Sequence, residues 1–366
     1  MKVAYLLGSL NRGGTETLLL DVFQNAEKAP YEIICVHRKG GAYLDAYNAA
    51  GQKVICCSPK RFGLFRYLRQ LRQILLSEKI THIHAQQPID CIFARLATVS
   101  TRIRIVATFH GYDFGARRFD KLFNAISIRM ADAVCFVSKA QKDYYIKNYH
   151  IKQLDKLHVV YNGIDFTKLN RAEKDDRIRG LEDEKVKLCM VGNFVKGRSP
   201  LIIAKAIKIV NREKQPPLDF YFIGRRDDKE IWRYDECVKY CEENKLTNVH
   251  FLGARSDVPE LLKKMDGFVY STVHDTFGIA VVEAMAAGLP VVVNDWEVIR
   301  EVCGEENLAM RYYKTGDPID CAKAIKSLLE ELDESKKVAK ENEKNIRKKY
   351  AIQEHIHQLY NIYAKL

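Results

Sequence analysis

Residues 276–294 read TFGIAVVEAMAAGLPVVVN, and Glu283 is the only charged side chain in this run. The small and apolar residues around Glu283 predict a buried helix, and LPVVVN predicts a buried strand after it. Because an unpaired carboxylate in such surroundings costs several kcal/mol, Glu283 needs a hydrogen-bonding partner. A bound ligand provides one, and a core carboxylate satisfied by its own protein is the alternative. The run predicts an α/β fold with a binding site at this helix.

Outward from this run, short apolar segments alternate with amphipathic segments along most of the chain. The strand candidates are KVAYLL, YEIICVH, KVICC, HIHA, RIVATFH and AVCFVS, followed by VKLCMVG, LDFYFIG, VHFLG, GFVYS and LPVVVN. Strands separated by helices predict parallel sheets covered on both faces, which is the doubly wound arrangement. In such sheets ligands bind beyond the carboxyl ends of the strands.

The length of 366 residues predicts two domains. The alternation pauses at the polar stretch 163–184, where we expect a linker. We therefore expect a Rossmann-like domain over 1–165 and a second over 166–345. The tail reads as a helix over 335–365 that has no strand of its own to cover. Its last part, 346–366, is expected to pack back on the first domain.

Composition excludes several classes of protein. The chain is 47% hydrophobic and 29% charged, as in ordinary globular proteins, and no apolar run approaches the ~20 residues of a membrane-spanning helix. The apolar start MKVAYLLGSLN is too short for a signal sequence. The 10 cysteines include no Cys-x-x-Cys pair, which predicts free thiols and no zinc site. These features predict a cytoplasmic protein without a bound metal or resident cofactor.

The positive charge is concentrated in the first half of the chain. Residues 1–165 contain 24 Lys and Arg against 13 Asp and Glu, whereas 166–366 are nearly balanced with 35 against 34. This asymmetry predicts an anionic partner for the first domain, either a nucleic acid or an anionic membrane. We favour the membrane, because no recognised nucleic-acid-binding motif accompanies the charge.

Residues 60–79 are the candidate membrane contact. The segment KRFGLFRYLRQLRQILLSEK predicts an interfacial helix, and an ordinary helix that covers a sheet is an equally good interpretation. RRFDKLF at 117–123 adds further basic and apolar side chains. The helical spacing on which this rests comprises Phe62, Phe65, Leu68, Leu71 and Leu75, with Arg61, Arg66, Arg69 and Arg72 around them.

Two glycine-marked loops between a strand and a helix are candidate phosphate sites. GSLNRGGTE brings Gly13 and Gly14 to a helix start, although it matches neither the P-loop nor the dinucleotide motif. A plain tight turn explains this loop equally well. VGNFVKGRSP at 191–200 places Lys196 and Arg198 where a helix dipole already favours anions, which fits a diphosphate. A solvated basic loop is the alternative.

A third loop, HDTFGIAVVE, leads directly into the Glu283 helix. Asp275 lies eight residues before Glu283, and Thr276, Phe277 and Gly278 present backbone amides at the helix start. Asp275 is either a ligand-binding carboxylate or an ordinary N-cap.

The run DTFGIAVVEAMAAGLPV at 275–291 is similar to the signature EGFGxxxxEAMAxGxPV of retaining glycosyltransferases. This family, of group 1 and family 4 type, contains bacterial glycogen synthase, sucrose synthase and capsular-polysaccharide transferases. Further segments resemble the family in its own order, namely GGTE, TFHGYD, ADAVCFVSKAQKD, VVYNGID, VGNFVKGRSP and VHFLGARSDVPELLKKMDGFVYS. The resemblance implies the GT-B architecture, in which two Rossmann-like doubly wound α/β domains face each other across a cleft.

The resemblance also implies roles for individual residues. Glu283 would accept hydrogen bonds from the ribose of a nucleoside-diphosphate sugar, with a UDP-sugar the commonest case, and Asp275 would hold the donor sugar. The first domain would bind a saccharide or lipid-linked acceptor near His110. Donor contacts would further include Gly13, Gly14, Asn193, Lys196, Arg198, Thr276, Phe277, Gly278 and Ile279, and the catalytic residues would be His110, Asp275 and Arg198.

The implied activity is a retaining, metal-independent glycosyl transfer in surface polysaccharide or glycolipid synthesis. The chain has no Asp-x-Asp metal handle. Two positions differ from the family pattern, because Asp275 replaces a glutamate and Asn193 replaces one of two phosphate-binding cations. A sugar-nucleotide epimerase of the same architecture is one alternative. A non-catalytic protein that binds saccharides or membranes is another.

Overall fold

A computed structural model describes residues 1–11, 13–171, 185–212, 217–228 and 230–366. By internal contacts these residues form two compact units. The first unit comprises Met1–Asp165 with Tyr350–Leu366, and the second comprises Phe166–Lys349. Residues 172–184, most of the predicted linker, lie outside the described residues. The side chains at positions 60–62, including the predicted interfacial Arg61 and Phe62, lie outside them as well.

The first unit is built on a parallel sheet of seven strands in the order β3-β2-β1-β4-β5-β6-β7. Its elements are β1 (Lys2–Leu7), α1 (Gly14–Gln24), a short 3-10 helix (Ala26–Lys28), β2 (Glu32–His37), α2 (Leu44–Ala49), β3 (Lys53–Cys56), α3 (Pro59–Ser77), β4 (His82–Ala85), α4 (Pro88–Ala97), β5 (Arg104–Phe109), α5 (Arg118–Met130), β6 (Ala133–Phe136), α6 (Lys139–Tyr149) and β7 (Leu157–Val159).

The second unit is built on a parallel sheet of six strands in the order β10-β9-β8-β11-β12-β13. Its elements are α7 (Thr167–Arg171), β8 (Val186–Val191), α8 (Pro200–Val210), β9 (Leu218–Ile223), α9 (Ile231–Glu243), β10 (Val249–Gly253), α10 (Val258–Lys263), β11 (Gly267–Tyr270), α11 (Ile279–Ala286), β12 (Val291–Asn294), α12 (Glu297–Cys303), β13 (Met310–Tyr313), α13 (Pro318–Glu330) and α14 (Leu332–Lys349). The strands β7 and β13, each at the edge of its sheet, were not predicted from the sequence.

The predicted single helix over 335–365 is wrong, because the chain breaks at Tyr350. The Ile164 amide donates to the Tyr350 carbonyl (2.9 Å) and the Ile352 amide to the Ile164 carbonyl (3.0 Å), so this stretch pairs as extended backbone. A separate helix, α15 (Ile352–Tyr363), follows and belongs to the first unit. The Tyr363 hydroxyl lies 3.2 Å from that of Tyr5, in the core beside β1.

The two interpretations of segment 60–79, a sheet-covering helix and an interfacial helix, apply to different parts of it. Leu71 and Leu75 are buried with α4 and α5 residues in the core, so this part of α3 covers the sheet and cannot face a membrane. Arg72 donates to the carbonyls of Ala97 (2.9 Å) and Val99 (2.8 Å), so it caps the end of α4. By contrast, Phe65 is 81% exposed at the start of the helix.

Candidate active site

The strand order of each sheet fixes where a ligand fits. The order reverses between β1 and β4 in the first sheet and between β8 and β11 in the second. Crevices form at such switch points, beyond the carboxyl ends of the strands. The predicted residues Gly13, Gly14 and His110 belong to the first unit. Asn193, Lys196, Arg198, Asp275 and the residues that follow it belong to the second.

The loops after β8 and β11 are tied together in the second unit. Thr272 donates its hydroxyl to the Gly197 carbonyl (2.8 Å), and the Val273 amide donates to the same oxygen (3.0 Å). Gly197 has φ of 98°, and a Cβ there would lie 2.4 Å from the His274 ring, so the turn requires glycine. These contacts bring Arg198, the next residue, beside the loop that precedes α11.

Arg198, Asp275 and Tyr270 form one polar cluster at this switch point. Arg198 Nη2 lies 3.2 Å from Asp275 Oδ2, and the Tyr270 hydroxyl donates to the same oxygen at 2.7 Å. The Arg198 guanidinium lies 5.1 Å from the centre of the Tyr270 ring, which is within cation–π range. The pKa of Arg198 is raised despite its burial, because Tyr270 and Asp275 favour the charged form. The cluster holds a carboxylate and a permanent cation side by side.

The backbone around Asp275 is fixed at the start of α11. Asp275 Oδ1 accepts from the Thr276 amide (3.1 Å), and the Asp275 carbonyl accepts from Trp296 Nε1 (3.0 Å). Gly278 has φ of 84°, and a Cβ there would lie 2.8 Å from Ile299 Cδ1, so only glycine fits. The N-cap of α11 is Gly278, which has no side chain that could cap the helix. Asp275 is therefore not the N-cap of α11.

Glu283 is the fifth residue of α11, which begins at Ile279. The neighbouring Val282 and Ala284 are fully buried, whereas Glu283 is half-buried. Glu283 lies in the helix that directly follows the loop containing Asp275. Negative ligand groups at the amino-terminal end of this helix are favoured by the helix dipole.

Two predicted donor residues, Asn193 and Lys196, make contacts outside the Arg198–Asp275–Tyr270 cluster. Asn193 Oδ1 accepts from the Arg225 amide at 3.0 Å, so the side chain joins the loops after β8 and β9. Lys196 is exposed, and its amide donates to the Glu230 carboxylate. The structure groups Arg198 with Asp275, Thr276, Phe277 and Gly278, but places Asn193 and Lys196 in separate contacts.

The first-unit loop after β1 leads straight into α1. Gly13 is the N-cap of α1 in an extended conformation, and a Cβ there would meet only the Glu16 side chain. Apart from its chain neighbours and the backbone of its own helix, no described atom lies within 4 Å of a Cβ built on Gly14. The helix start is therefore open at Gly14, which leaves room for a ligand to approach the backbone.

A pocket of about 280 Å³ lies beyond β1, β4 and β5 in the first unit. Its lining includes Glu16, Gln86, Gln87, His110 and Asp113. His110 Nε2 lies 2.7 Å from Gln86 Oε1. The pKa of His110 is lowered to about 3, mainly by burial and to a smaller extent by the electrostatic effect of His355. The imidazole is therefore neutral near pH 7 and, because Gln86 Oε1 can only accept, it donates from Nε2.

Asp113 lies in the lining of this pocket and is held by hydrogen bonds from neighbouring side chains. It is buried and accepts hydrogen bonds from the hydroxyls of Tyr144 (2.6 Å) and Tyr149 and from the Asn124 amide (3.3 Å). These contacts fix the TFHGYD loop that contains His110. Asp113 therefore holds the loop rather than contributing an unsatisfied carboxylate to the pocket.

Sequence reasoning missed Tyr270 and the pair Gln86–Gln87. Tyr270 is the last apolar residue of the segment GFVYS, so it reads as an ordinary core residue. Gln86 and Gln87 directly follow the strand candidate HIHA. Tyr270 is the last residue of β11, and Gln86 and Gln87 follow β4. Both strands flank a switch point, which is the signal that identifies these positions once the strand order is known.

Within the described ranges, no three His, Cys, Asp or Glu side chains converge as a metal site would require. In the same ranges no helix combines the length and apolarity needed to span a bilayer.

Two doubly wound parallel sheets, of seven and six strands, are the architecture of the GT-B class of folds. The chain matches the family models "Glycosyltransferase Family 4" over residues 12–168 and "Glycosyl transferases group 1" over residues 171–346. It belongs to the group 1 glycosyltransferases of the GT-B type and is a glycosyltransferase.

Individual relatives and structures agree with this assignment. UDP-Gal:alpha-D-GlcNAc-diphosphoundecaprenol alpha-1,3-galactosyltransferase of Escherichia coli is 25% identical over 314 residues, covering 81% of this chain and 79% of the relative. A Campylobacter jejuni N-acetylgalactosaminyltransferase that acts on N,N'-diacetylbacillosaminyl-diphospho-undecaprenol is 39% identical over 83 residues, 23% of this chain and 22% of the relative. The crystal structure of Anabaena HepE in complex with UDP has a TM-score of 0.88 at 18% identity, with both chains fully covered, and shares the fold.

Proposed function

We propose that this protein transfers a sugar from a UDP-sugar to a lipid-linked saccharide, with retention of anomeric configuration and without a metal ion. The observation that carries the proposal is the Arg198–Asp275 pair, with 3.2 Å between Nη2 and Oδ2, at the amino-terminal end of the Glu283 helix. A cation, a carboxylate and backbone amides at one helix end match the diphosphate and hydroxyl groups of a nucleotide sugar.

Each group at this site has a distinct role in the proposal. Glu283 accepts hydrogen bonds from the ribose hydroxyls, and Asp275 accepts from hydroxyls of the transferred sugar. The backbone amides of Thr276 to Ile279 stabilise the phosphates. Arg198 neutralises the charge that builds on the departing diphosphate, which is the main electrostatic requirement of the reaction. Lys196 can add long-range positive charge, while Asn193 supports the loop.

The proposed chemistry breaks the bond between the anomeric carbon and the phosphate oxygen. The acceptor hydroxyl attacks from the same face, its proton passes to the leaving diphosphate, and UDP departs. A fixed guanidinium and amide dipoles can stabilise the leaving group, so this route needs no metal. The name of the Escherichia coli relative contains UDP-Gal and an α-1,3 linkage, which supports a UDP-sugar donor here.

The acceptor is assigned to the pocket that contains His110 and Gln86. The neutral His110 imidazole suits a role in positioning an acceptor hydroxyl, because a group with a pKa of about 3 is a weak base at pH 7. Gly13 and Gly14 at the open start of α1 are assigned to the donor diphosphate. Both relatives named above act on a sugar linked to diphosphoundecaprenol, which supports a lipid-linked saccharide acceptor.

An exposed apolar and basic surface fits an acceptor held in a membrane. It comprises the starts of α3 and α5, where Leu64 is 54%, Phe65 81% and Phe119 73% exposed. The same two helix starts carry exposed cations, namely Arg66, Arg69, Arg117, Arg118 and Lys121. Helices that connect parallel strands start at the carboxyl edge of the sheet, which is also the edge of the pocket. We propose that this edge contacts an anionic membrane from the cytoplasmic side, as part of surface polysaccharide or glycolipid synthesis.

The test is a transfer assay with α-N-acetylglucosaminyl-diphosphoundecaprenol in detergent and a panel of four donors, UDP-galactose, UDP-glucose, UDP-N-acetylglucosamine and UDP-N-acetylgalactosamine. We expect one donor to release UDP only when acceptor is present, unchanged activity in EDTA, and an α-linked product by NMR. A β-linked product would contradict retention, and loss of activity in EDTA would contradict metal independence. Donor conversion without acceptor would favour an epimerase instead.

A further inference from the structure

We propose that Tyr270 is a positioning residue for glycosyl transfer, whose hydroxyl fixes the Asp275 carboxylate beside Arg198. The inference rests on the proposed role of Asp275 at the donor sugar. It assigns a function to a side chain that contacts no ligand itself in this scheme and acts through Asp275.

Tyr270 contacts both charged members of the cluster. Its hydroxyl donates to Asp275 Oδ2 (2.7 Å), and its ring lies under the Arg198 guanidinium, 5.1 Å from the ring centre. Arg198 Nη2 reaches the same Oδ2 at 3.2 Å. One carboxylate oxygen therefore accepts from two side chains, and the orientation of the carboxylate is determined by both.

The other carboxylate oxygen is left with capacity for a sugar hydroxyl. Among the described residues, Oδ1 of Asp275 accepts only from the Thr276 amide, at 3.1 Å. A carboxylate oxygen can accept two hydrogen bonds, so Oδ1 keeps one lone pair. The Asp275 side chain is 13% exposed, which gives a ligand access to the cluster. Fixing Oδ2 therefore presents Oδ1 in one orientation.

Tyr270 is well suited to hold that orientation. It is the last residue of β11, is fully buried, and its carbonyl accepts from the Tyr313 hydroxyl at 3.0 Å. Burial raises its pKa well above the ordinary value, and the nearby Arg198 offsets this only in part, so the phenol keeps its proton. By contrast, the terminal torsion of an aspartate has a broad range when nothing restrains it. A rigid donor on Oδ2 removes that freedom before the donor substrate binds.

The experiment is a double-mutant cycle of Tyr270→Phe and Asp275→Ala, with Tyr312→Phe as matched control. Phenylalanine keeps the ring under Arg198 and removes only the hydroxyl. Tyr312 lies in the same sheet, and its hydroxyl donates to the Gly304 carbonyl, which is not part of the Arg198–Asp275–Tyr270 cluster. We would measure kcat and KM for UDP release with the donor selected above, the Kd for UDP by calorimetry, and the melting temperature of each variant.

We expect Tyr270→Phe to lower kcat about tenfold while the Kd for UDP changes less than about twofold, because a hydrogen bond to a charged group is lost without loss of a phosphate contact. In the Asp275→Ala background the same change should have no further effect on kcat. Tyr312→Phe should leave kcat and Kd within about twofold of the wild type, because its hydroxyl bonds the Gly304 carbonyl and not the cluster.

Two outcomes would overturn the inference alone. One is an equal loss of kcat from Tyr270→Phe with and without Asp275, which would show that the two residues act independently. The other is wild-type kcat in Tyr270→Phe. A different result, wild-type kcat in Asp275→Ala with normal UDP binding, would contradict the role of Asp275 in the proposed function and remove the basis of the inference. A wild-type protein that neither binds UDP nor releases it would contradict the proposed donor itself.

Discussion

Each of the two sheets carries an arginine–aspartate pair beyond the carboxyl ends of its strands, and the two pairs differ in exposure. In the first unit, Arg38 Nε lies 2.7 Å from Asp90 Oδ1, and the Asp90 side chain is 1% exposed. In the second, Arg198 Nη2 lies 3.2 Å from Asp275 Oδ2, and the Asp275 side chain is 13% exposed. The same chemistry is therefore sealed in one unit and accessible in the other.

The surroundings of the two carboxylates match this difference. Burial raises the pKa of Asp90, and Arg38 offsets this only in part. Asp90 Oδ2 is buried and has no hydrogen-bond partner among the described residues. Arg38 also donates to Gln87 Oε1 at 2.8 Å, so the sealed pair supports the wall of the pocket. A sealed pair can only support the fold, whereas an accessible pair can exchange its partner for a ligand.

The largest expected effect comes from opening the sealed pair. Arg38→Ala leaves Asp90 buried without its cation, and breaking a buried pair in this way costs about 3 kcal/mol or more of unfolding free energy. Urea unfolding of the full chain measures it. Adding Asp90→Asn should recover part of the loss, because the uncompensated charge is removed. If Arg198→Ala destabilised the protein as much as Arg38→Ala does, the distinction between the two pairs would be wrong.

The next effect concerns ligand binding in the second unit. Glu283→Ala should weaken UDP binding about 10- to 30-fold, the range expected when a carboxylate that accepts charge-assisted hydrogen bonds is removed. Calorimetric titration with UDP measures it. Glu305→Ala removes an exposed carboxylate from the same unit and serves as the control for net charge. Equal affinity in both variants would mean that Glu283 is a core carboxylate without a ligand.

The stability of the first unit should fall at acid pH, because this unit contains the buried, neutral His355. Burial lowers the pKa of His355 to about 4, and its Nδ1 lies 2.7 Å from the Tyr161 carbonyl. The unfolded chain binds a proton below about pH 6.5, whereas the folded state does not do so until about pH 4, so stability is lost as the pH falls through this range. From pH 6.5 to 5.5 the loss is about 1 kcal/mol for this histidine.

His355→Gln tests this expectation, since glutamine can still donate to the Tyr161 carbonyl but does not titrate. Urea unfolding at pH 6.5 and 5.5 should show a pH dependence about 1 kcal/mol smaller in the variant than in the wild type. His357→Gln, at an exposed position of α15, should keep the wild-type dependence. Identical dependence in all three proteins would show that His355 is not held neutral.

The sequence predicted the two parallel sheets because their strands are continuous apolar runs separated by amphipathic helices. It missed β7 and β13, which are short edge strands of three and four residues with too few apolar positions to stand out. It also predicted one helix over 335–365, because the pairing of Tyr350 and Ile352 with Ile164 depends on a contact distant in sequence.

The candidate site divides in the same way. Glu283 could be singled out because it is the one charged residue in an apolar run, and Asp275 because it lies in the loop that leads into the same helix. The ion pair between Arg198 and Asp275, and the role of Tyr270, could not be, because they depend on which strands are neighbours. Only the order β8-β11 brings the loops after these strands together.

The smallest expected effect tests the exposed edge of the first unit, the counterpart of its sealed interior. Leu64→Ser combined with Phe65→Ser should reduce partitioning onto vesicles containing 30% phosphatidylglycerol about fivefold. The variant loses the apolar area that these two exposed side chains would bury in the membrane interface. Val99→Ser with Leu154→Ser is the control, since these residues are 59% and 55% exposed but lie at the opposite edge of the sheet, after α4 and before β7. Vesicle co-sedimentation measures both. An equal reduction in both double variants would show that exposed apolar side chains adsorb to the vesicles nonspecifically, and the assignment of this edge to the membrane would then be wrong.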